Sequence, residues 1–255
     1  MKIQVIGARG MLGSAVMQAV HDAGHEPIGA FYGDINTCAV LGAVVINCAG
    51  VVKQRTELPD SYFVMVNSYG PQRLAEACDG IGSRLIQIST DCVFAGPGPH
   101  SESDAPDGRG IYAVSKLAGE VTRTPHLTIR TSFVGFGKRG LIHDLFEKRG
   151  QTLSAPARME WTGHTAPQIA ALLVHLAANR PDVTGLLHVP ARPISRADLV
   201  RRLSAAFSLN ITVELVEGPA DDRRLISKRW EALALPKLPP FAEQLGQMPI
   251  PEGAL

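Results

Sequence analysis

Near the start of the chain a short β-branched run, "KIQVIGA", gives way to three glycines in register, Gly7, Gly10 and Gly13 of "GARGMLG". A helical pattern follows, "MLGSAVMQAVHDAGH", with apolar residues Leu12, Val16, Ala19 and Val20 on one face and Gly24 as its stop. Strand, glycine turn, helix is a narrow combination. A plain turn needs one glycine, whereas three in register let the backbone turn tightly and approach a diphosphate, and the helix start presents free N–H groups to an anion. The spacing is G-x-x-G-x-x-G, one residue wider than the common dinucleotide fingerprint.

The same alternation continues. "EPIGAFY", "AVVINCAG", "RLIQIST" and "LTIRTSFV" read as strands, while "SYFVMVNSYGPQRLAEACDGI", interrupted near Gly70 and Pro71, and "YAVSKLAGEVTRT" read as helices. Strands alternating with helices predict an α/β fold with a doubly wound parallel sheet. After about residue 136 the rhythm loosens into the helix "TAPQIAALLVHLAAN", the strand "GLLHVP", the helix "SRADLVRRLSAAFSL", the strand "ITVELVE" and a proline-rich tail. Residues 1–136 are expected to form a nucleotide-binding domain and 137–255 a small substrate-binding lobe, part of which returns to the first domain.

Composition excludes some classes. The net charge of +1 has no long run of one sign, which argues against a nucleic-acid binder. Cys38, Cys48, Cys78 and Cys92 lack CxxC or Cys/His ligand spacing and read as reduced thiols, with no metal site. The first residues lack the long apolar region of a signal peptide, and no apolar run reaches membrane-spanning length, so a cytoplasmic protein is expected.

The chemistry-bearing residues lie at strand ends and on one helix. Ser89 and Thr90 end the strand of "ISTDCVF", where ligands of parallel sheets sit. Tyr112 and Lys116 are four apart and share a helix face. A lysine ammonium near a phenol favours the phenolate. Such a tyrosine can pass a proton to a carbonyl oxygen during hydride attack, with Thr90 hydrogen-bonding the same oxygen.

"GARGMLG", "INCAG", "ISTDCVFAG", "YAVSKLAGE" and "IRTSFVG" occur in the order and spacing of the extended short-chain dehydrogenase/reductases. "STDCVFAG" and "YAVSKLAGE" resemble most the dTDP-4-dehydrorhamnose reductase branch, which acts on nucleotide-linked 4-keto sugars. The resemblance is fainter in "TGHTAPQIA", "GLLHVPARPISRADLV" and "DRRLIS". It implies a Rossmann-type sheet, catalytic roles for Thr90, Tyr112 and Lys116, and a cofactor lined by Gly7, Gly10, Met11, Leu12 and Gly13, by Cys48, Ala49 and Gly50 after the fourth strand, and by Tyr112 and Lys116. A nucleotide sugar is the implied partner, and a homodimer is compatible with it.

The cofactor has two readings. Asp34 could hold the ribose hydroxyls of NADH, or be a turn residue; Arg9 could pair with the 2′-phosphate of NADPH, or be a solvated loop arginine. The balance favours NADPH. Cys92 stands where the branch usually has tyrosine, and Phe133 where tryptophan is common. Cys92 and His143 also resemble the proton-moving pair of GDP-L-fucose synthase, an epimerase–reductase. The alternatives are a small buried cysteine and a helix-start histidine. A non-catalytic binding subunit, like the regulatory subunit of methionine adenosyltransferase, is a third reading. Substrate contacts are expected from Asn67, Cys92, Trp161 and Arg224, with Arg130 and Arg223 as further candidates for a diphosphate; Asn67 and Trp161 also fit structural roles.

Overall fold

The computed structural model describes residues 1–31, 41–217 and 221–250. Asp34 and Cys38 lie outside the described residues. β1 (Lys2–Ile6) leads through the glycine turn into α1 (Met11–Asp22), which buries Leu12, Gly13, Val16 and Val20. Gly24, at φ +72°, supplies the left-handed residue that ends the helix. β2 (Glu26–Ala30) and β3 (Ala43–Asn47) follow, and both pair with β1 in parallel.

The long helix is broken, though one turn earlier than its glycine and proline suggest. α2 (Asp60–Val64) passes into a π-helical turn, Met65–Tyr69, and then α3 (Gly70–Gly80). Pro71 has no N–H to give to the carbonyl of Asn67, four residues back. Gly119 packs against that carbonyl: a Cβ on Gly119 would lie 1.8 Å from the Asn67 oxygen.

β4 (Arg84–Thr90) is buried along its whole length and turns through Asp91–Val93. α4 (Gly110–Ala118) stops before Gly119, shorter than the sequence pattern of 112–124 suggests, because the close approach to Asn67 ends it. β5 (Leu127–Thr131) and β6 (Phe133–Val134) divide the expected single strand at Ser132. Then come α5 (Leu141–Glu147), β7 (Thr152–Pro156), β8 (Met159–Trp161), β9 (His164–Thr165) and α6 (Ala166–Asn179). β10 (Gly185–His188), β11 (Ile194–Ser195), α7 (Arg196–Ala206), β12 (Thr212–Val216), β13 (Asp221–Asp222), α8 (Arg229–Ala232) and α9 (Phe241–Gly246) complete the described chain.

The main sheet has the order β10-β5-β4-β3-β1-β2, with every pairing parallel. Cys48, Ala49 and Gly50 therefore follow the third strand of the described residues, not a fourth. The chain leaves β1 to one side for β2 and to the other for β3, so the sheet reverses direction there, and a crevice for ligands opens at such a point. One face is covered by α1 and α6, whose Val16, Val20, Ile169, Leu173 and Leu176 join Ile3, Val5, Ile86 and Ile129. On the other face Leu74, Ala75 and Cys78 of α3 pack with Val45 and Leu85.

α6 and β10 thus bring residues 166–188 back into the first core. A separate core forms from Ile142 and Leu145 of α5, Leu199, Leu203 and Phe207 around α7, and Phe241 and Leu245 of α9.

Candidate active site

The glycine turn is shaped by close approaches. Gly7 sits at φ +78°, and a Cβ there would lie 2.8 Å from the backbone of Ala49. A Cβ on Gly13 would lie 2.1 Å from the Gly7 carbonyl oxygen. β1, α1 and the end of β3 can therefore meet only with hydrogen at both positions. Gly10 caps α1, and its N–H donates to the Gly7 carbonyl at 2.9 Å. The first turn of α1 has no intrahelical acceptors for its N–H groups and carries no acidic residue.

Gly10, Met11 and Leu12 line a cleft of about 1320 Å³, together with Cys48, Ala49, Gly50, Thr90, Tyr112 and Lys116. The two stretches singled out by sequence, the glycine turn and the Tyr112–Lys116 helix, thus open on one space. Its lining is strongly cationic: Arg9, Lys53, Arg55, Lys116, Lys138, Arg139, Lys148, Arg196 and Arg223 stand against Asp91, Asp144 and Glu160. Such a cleft suits ligands that carry phosphates. Arg9 is exposed at its rim, its guanidinium 4.1 Å from the centroid of the Phe31 ring.

Thr90 ends β4 and caps the turn after it. Its hydroxyl accepts from the Cys92 N–H at 3.1 Å and donates to Asp91 Oδ1 at 3.1 Å. Tyr112, in the first turn of α4, lines the same cleft as Thr90. Burial raises the Tyr112 pKa, the Cys92 and Asp91 groups add to this, and the Thr90 hydrogen bond only partly opposes it. The expectation that Lys116 would lower it is not met, since the ammonium donates instead to the Ile88 carbonyl at 2.6 Å. The consequence is a phenol that keeps its proton at neutral pH. Burial pulls Lys116 itself down to about 8, against the opposing pull of Glu120 and Cys48.

The expected substrate contacts divide. Trp161 lines the cleft; its Nε1 donates to Ser132 Oγ at 2.8 Å and its ring stands edge-on to Phe241 at 5.3 Å. Cys92 also lines it, with Arg223 Nη1 at 3.1 Å from Sγ. Burial foremost, and Asp91 next, push the Cys92 thiol up, away from the thiolate.

Four other candidates are placed elsewhere. Asn67 is buried in a purely structural set of bonds: Oδ1 accepts from the Val51 N–H at 2.8 Å, and Nδ2 donates to the Val51 carbonyl at 2.9 Å and Ser115 Oγ at 3.2 Å. It fixes the segment after Gly50 to α4 rather than touching a sugar. Arg224 is held outside the cleft by Asp222 and by Glu160, each at 2.7 Å. Arg130 is paired inside the sheet with Glu120. His143, on α5, is not among the cleft-lining residues, so it does not join Cys92 there.

Sequence reasoning missed most of the cationic wall. Lys138 and Arg139 had a legible signal, a basic pair in the glycine-rich turn "GFGKRG" after a strand. Lys53, Arg55, Lys148 and Arg196 had none, because tertiary packing brings them in. A second cavity of about 600 Å³ shares Lys53, Cys92, Tyr112 and Arg223 with the cleft and continues among Leu58, Phe63, Phe94 and Ile111.

Over 158 residues, 54% of the chain and 52% of the relative, the protein is 35% identical to a dTDP-4-dehydrorhamnose reductase of Mycobacterium tuberculosis (strain CDC 1551 / Oshkosh). Over 244 residues, 90% of the chain and 73% of the relative, it is 28% identical to one of Streptomyces griseus. The match thus spans about half the length of the Mycobacterium relatives. In fold it is similar to the crystal structure of dTDP-4-dehydrorhamnose reductase of Bacillus anthracis str. Ames in complex with NADP, with TM-score 0.81 and 19% identity, covering 97% of this chain and 98% of that one. The model of the RmlD substrate binding domain family matches residues 1–209, and the chain belongs to that family.

Proposed function

We propose that the protein is an NADPH-dependent short-chain reductase acting on the 4-keto group of a nucleotide-linked deoxysugar, as the names of its relatives suggest. The observation that carries this reading is that Thr90, Tyr112 and Lys116 share one cationic cleft with the glycine turn. Residues 1–136, with the returning 166–188, form the cofactor-holding part, and the remaining C-terminal residues form the substrate wall.

The turn fits a dinucleotide, because hydrogen at Gly7 and Gly13 lets β1, α1 and the end of β3 close on one another, with the start of α1 at Met11 and Leu12 facing the cleft. The N–H groups of Met11, Leu12 and Gly13 would hold the diphosphate, Cys48, Ala49 and Gly50 would line the cofactor, and Arg9 would take the 2′-phosphate. The Bacillus anthracis neighbour holds NADP. When bound, the nicotinamide supplies a hydride to the carbonyl carbon. Tyr112 hands its phenolic proton to the carbonyl oxygen, so ketone becomes alcohol with hydride and proton both accounted for. Thr90 donates a hydrogen bond to the same oxygen. Lys116 would hold the cofactor ribose through its ammonium.

The epimerase–reductase reading is weaker on this geometry. Cys92 is held as a thiol, and His143 lies away from the cleft lining. A non-catalytic subunit has no need of the Thr90, Tyr112 and Lys116 set. A homodimer stays within the proposal, with the exposed side chains of Tyr62, Met65, Tyr69 and Val114 as a surface for it. Adding dTDP-4-dehydrorhamnose to protein and NADPH tests the function. Oxidation of NADPH that needs the sugar supports it, and tight cofactor binding without turnover favours the non-catalytic reading.

A further inference from the structure

Lys116 is a buried cation, 7% exposed, and its Nζ donates to the Ile88 carbonyl. Burial pulls its pKa down to about 8, and two groups resist, Glu120 first and Cys48 second. The Cys48 thiol is itself pushed up to about 12 by burial, so it faces Lys116 as an uncharged group.

Glu120 lies four residues past Lys116, just beyond the end of α4. Its carboxylate is held on both oxygens. Ser89 Oγ donates to Oε1 at 2.6 Å, Arg130 Nε to Oε1 at 2.8 Å and Arg130 Nη2 to Oε2 at 2.7 Å. The side chains of Arg130 and Glu120 are 4% and 7% exposed. Arg130 in turn reaches His188 Nε2 at 3.4 Å and lies over the Phe94 ring. Strands β4, β5 and β10 thus all contribute to fixing one carboxylate behind the catalytic helix.

A buried ion pair adds little to stability on average, because desolvation offsets attraction. A second buried cation is anchored next to the Glu120–Arg130 pair, however: Ser89 of β4 holds Glu120, and the carbonyl of the adjacent Ile88 holds Lys116. Without Glu120, Lys116 and Arg130 would be two buried like charges, and Lys116 is the one able to shed its proton. We propose that Glu120 is a positioning residue of the reaction: clamped by Ser89 and Arg130, its carboxylate keeps Lys116 in the ammonium form at working pH. This rests on the role given above to Lys116.

The groups around Lys116 leave no other candidate among the described residues. Cys48 faces it from the end of β3, and the Ile88 carbonyl from β4. The backbone of Gly50 lies close by, since a Cβ there would be 3.8 Å from Nζ. Tyr112 stands one turn before it on α4 and stays neutral. Asn67 and Ser115 are uncharged. Arg130 and His188 act through Glu120, and burial lowers the His188 pKa toward the neutral ring.

The test is a titration of Lys116 in protein labelled with 13C at lysine Cε, its signal assigned by loss in Lys116→Met. The wild-type midpoint is expected near 8, and in Glu120→Gln it should fall by about one pH unit or more. That variant leaves Arg130 unpaired in the core; if it fails to fold, Glu120→Gln/Arg130→Gln keeps neutral hydrogen-bonding groups and should show a smaller fall in the same direction, because the Arg130 charge is removed with that of Glu120. A midpoint that stays or rises in a folded variant, with only melting temperature reduced, overturns the proposal and leaves Glu120 a structural residue. The titration needs neither cofactor nor sugar, so absence of sugar reduction does not affect it. NADPH affinity against pH is the companion readout. If the Lys116 midpoint moves and NADPH binding does not follow, Glu120 sets the charge on Lys116 but positions nothing for the reaction, and the proposal is overturned together with the role of Lys116.

Discussion

The two sides of the cleft are built differently. The strand-end side, from the glycine turn through Ala49 and Thr90 to Lys116, is set by backbone: positive φ at Gly7, near-contact of Gly13 with the Gly7 carbonyl, and the Ile88 carbonyl on Lys116. The opposite side, with Lys148, Leu153, Trp161, Arg196 and Val213, is set by side chains over a smaller core of α5, α7 and α9. Backbone-defined geometry suits the part that every turnover repeats, cofactor and proton transfer. A side-chain wall can change with the ligand it must recognise. Substitutions on the first side should therefore act on kcat and cofactor affinity, and those on the second on KM for the sugar nucleotide.

The largest effect is expected from Tyr112→Phe. The ring still packs, but its proton is gone, so turnover should fall by about 10²–10⁴-fold while NADPH affinity is retained. Stopped assays of turnover beside a fluorescence titration of cofactor would check both halves. A loss below about tenfold would mean that another group delivers the proton.

Arg9→Ala comes next. Losing a charge-assisted contact should weaken NADPH binding by about 1.5–3 kcal/mol and leave NADH untouched. Titrating both cofactors into both proteins measures the ratio, and an unmoved ratio would free Arg9 of the phosphate.

The third prediction concerns pH. Burial lowers Lys116 to about 8 from an ordinary lysine value, so the folded protein loses this ammonium as pH rises through about 8 rather than well above it. Cofactor affinity should be steady below that point and decline above it, with a single-group slope. A flat profile through pH 9 would dissociate the ammonium from cofactor binding.

On the other side, Trp161→Phe removes the Nε1 bond to Ser132 yet keeps an aromatic ring against Phe241. A neutral hydrogen bond is worth about 0.5–1.5 kcal/mol. Losing this intramolecular bond lowers stability by that amount and leaves the ring free to turn in the cleft, so KM for the sugar nucleotide should rise while NADPH affinity is unchanged. A fall in kcat of the same size would blur the division between the two sides.

The same division explains what could be read from sequence. Strand–turn–helix periodicity is local, and so are the spacings of Gly7, Gly10 and Gly13 and of Tyr112 and Lys116; these were legible, along with the parallel sheet. Phenol protonation was not, because it depends on burial and on Asp91 and Cys92 more than on the lysine four residues away. Asn67, Arg130 and Arg224 looked like ligands because polar side chains near a site read alike in one dimension. In space each is held by protein partners brought from 10 or more residues away or by a close acidic neighbour. The helix of 112–124 was overestimated because its stop comes from contact between Gly119 and Asn67, distant in sequence.

The central claim is that the cleft delivers hydride to a sugar carbonyl while Tyr112 protonates its oxygen. Running the reaction with NADPH deuterated at the transferable C4 position and dTDP-4-dehydrorhamnose tests it most directly, with the product examined by NMR. The account predicts a single deuterium on sugar C4, a single configuration there, and no product from Tyr112→Phe on the same timescale. Unlabelled C4, or reduction that proceeds equally well in Tyr112→Phe, would contradict it.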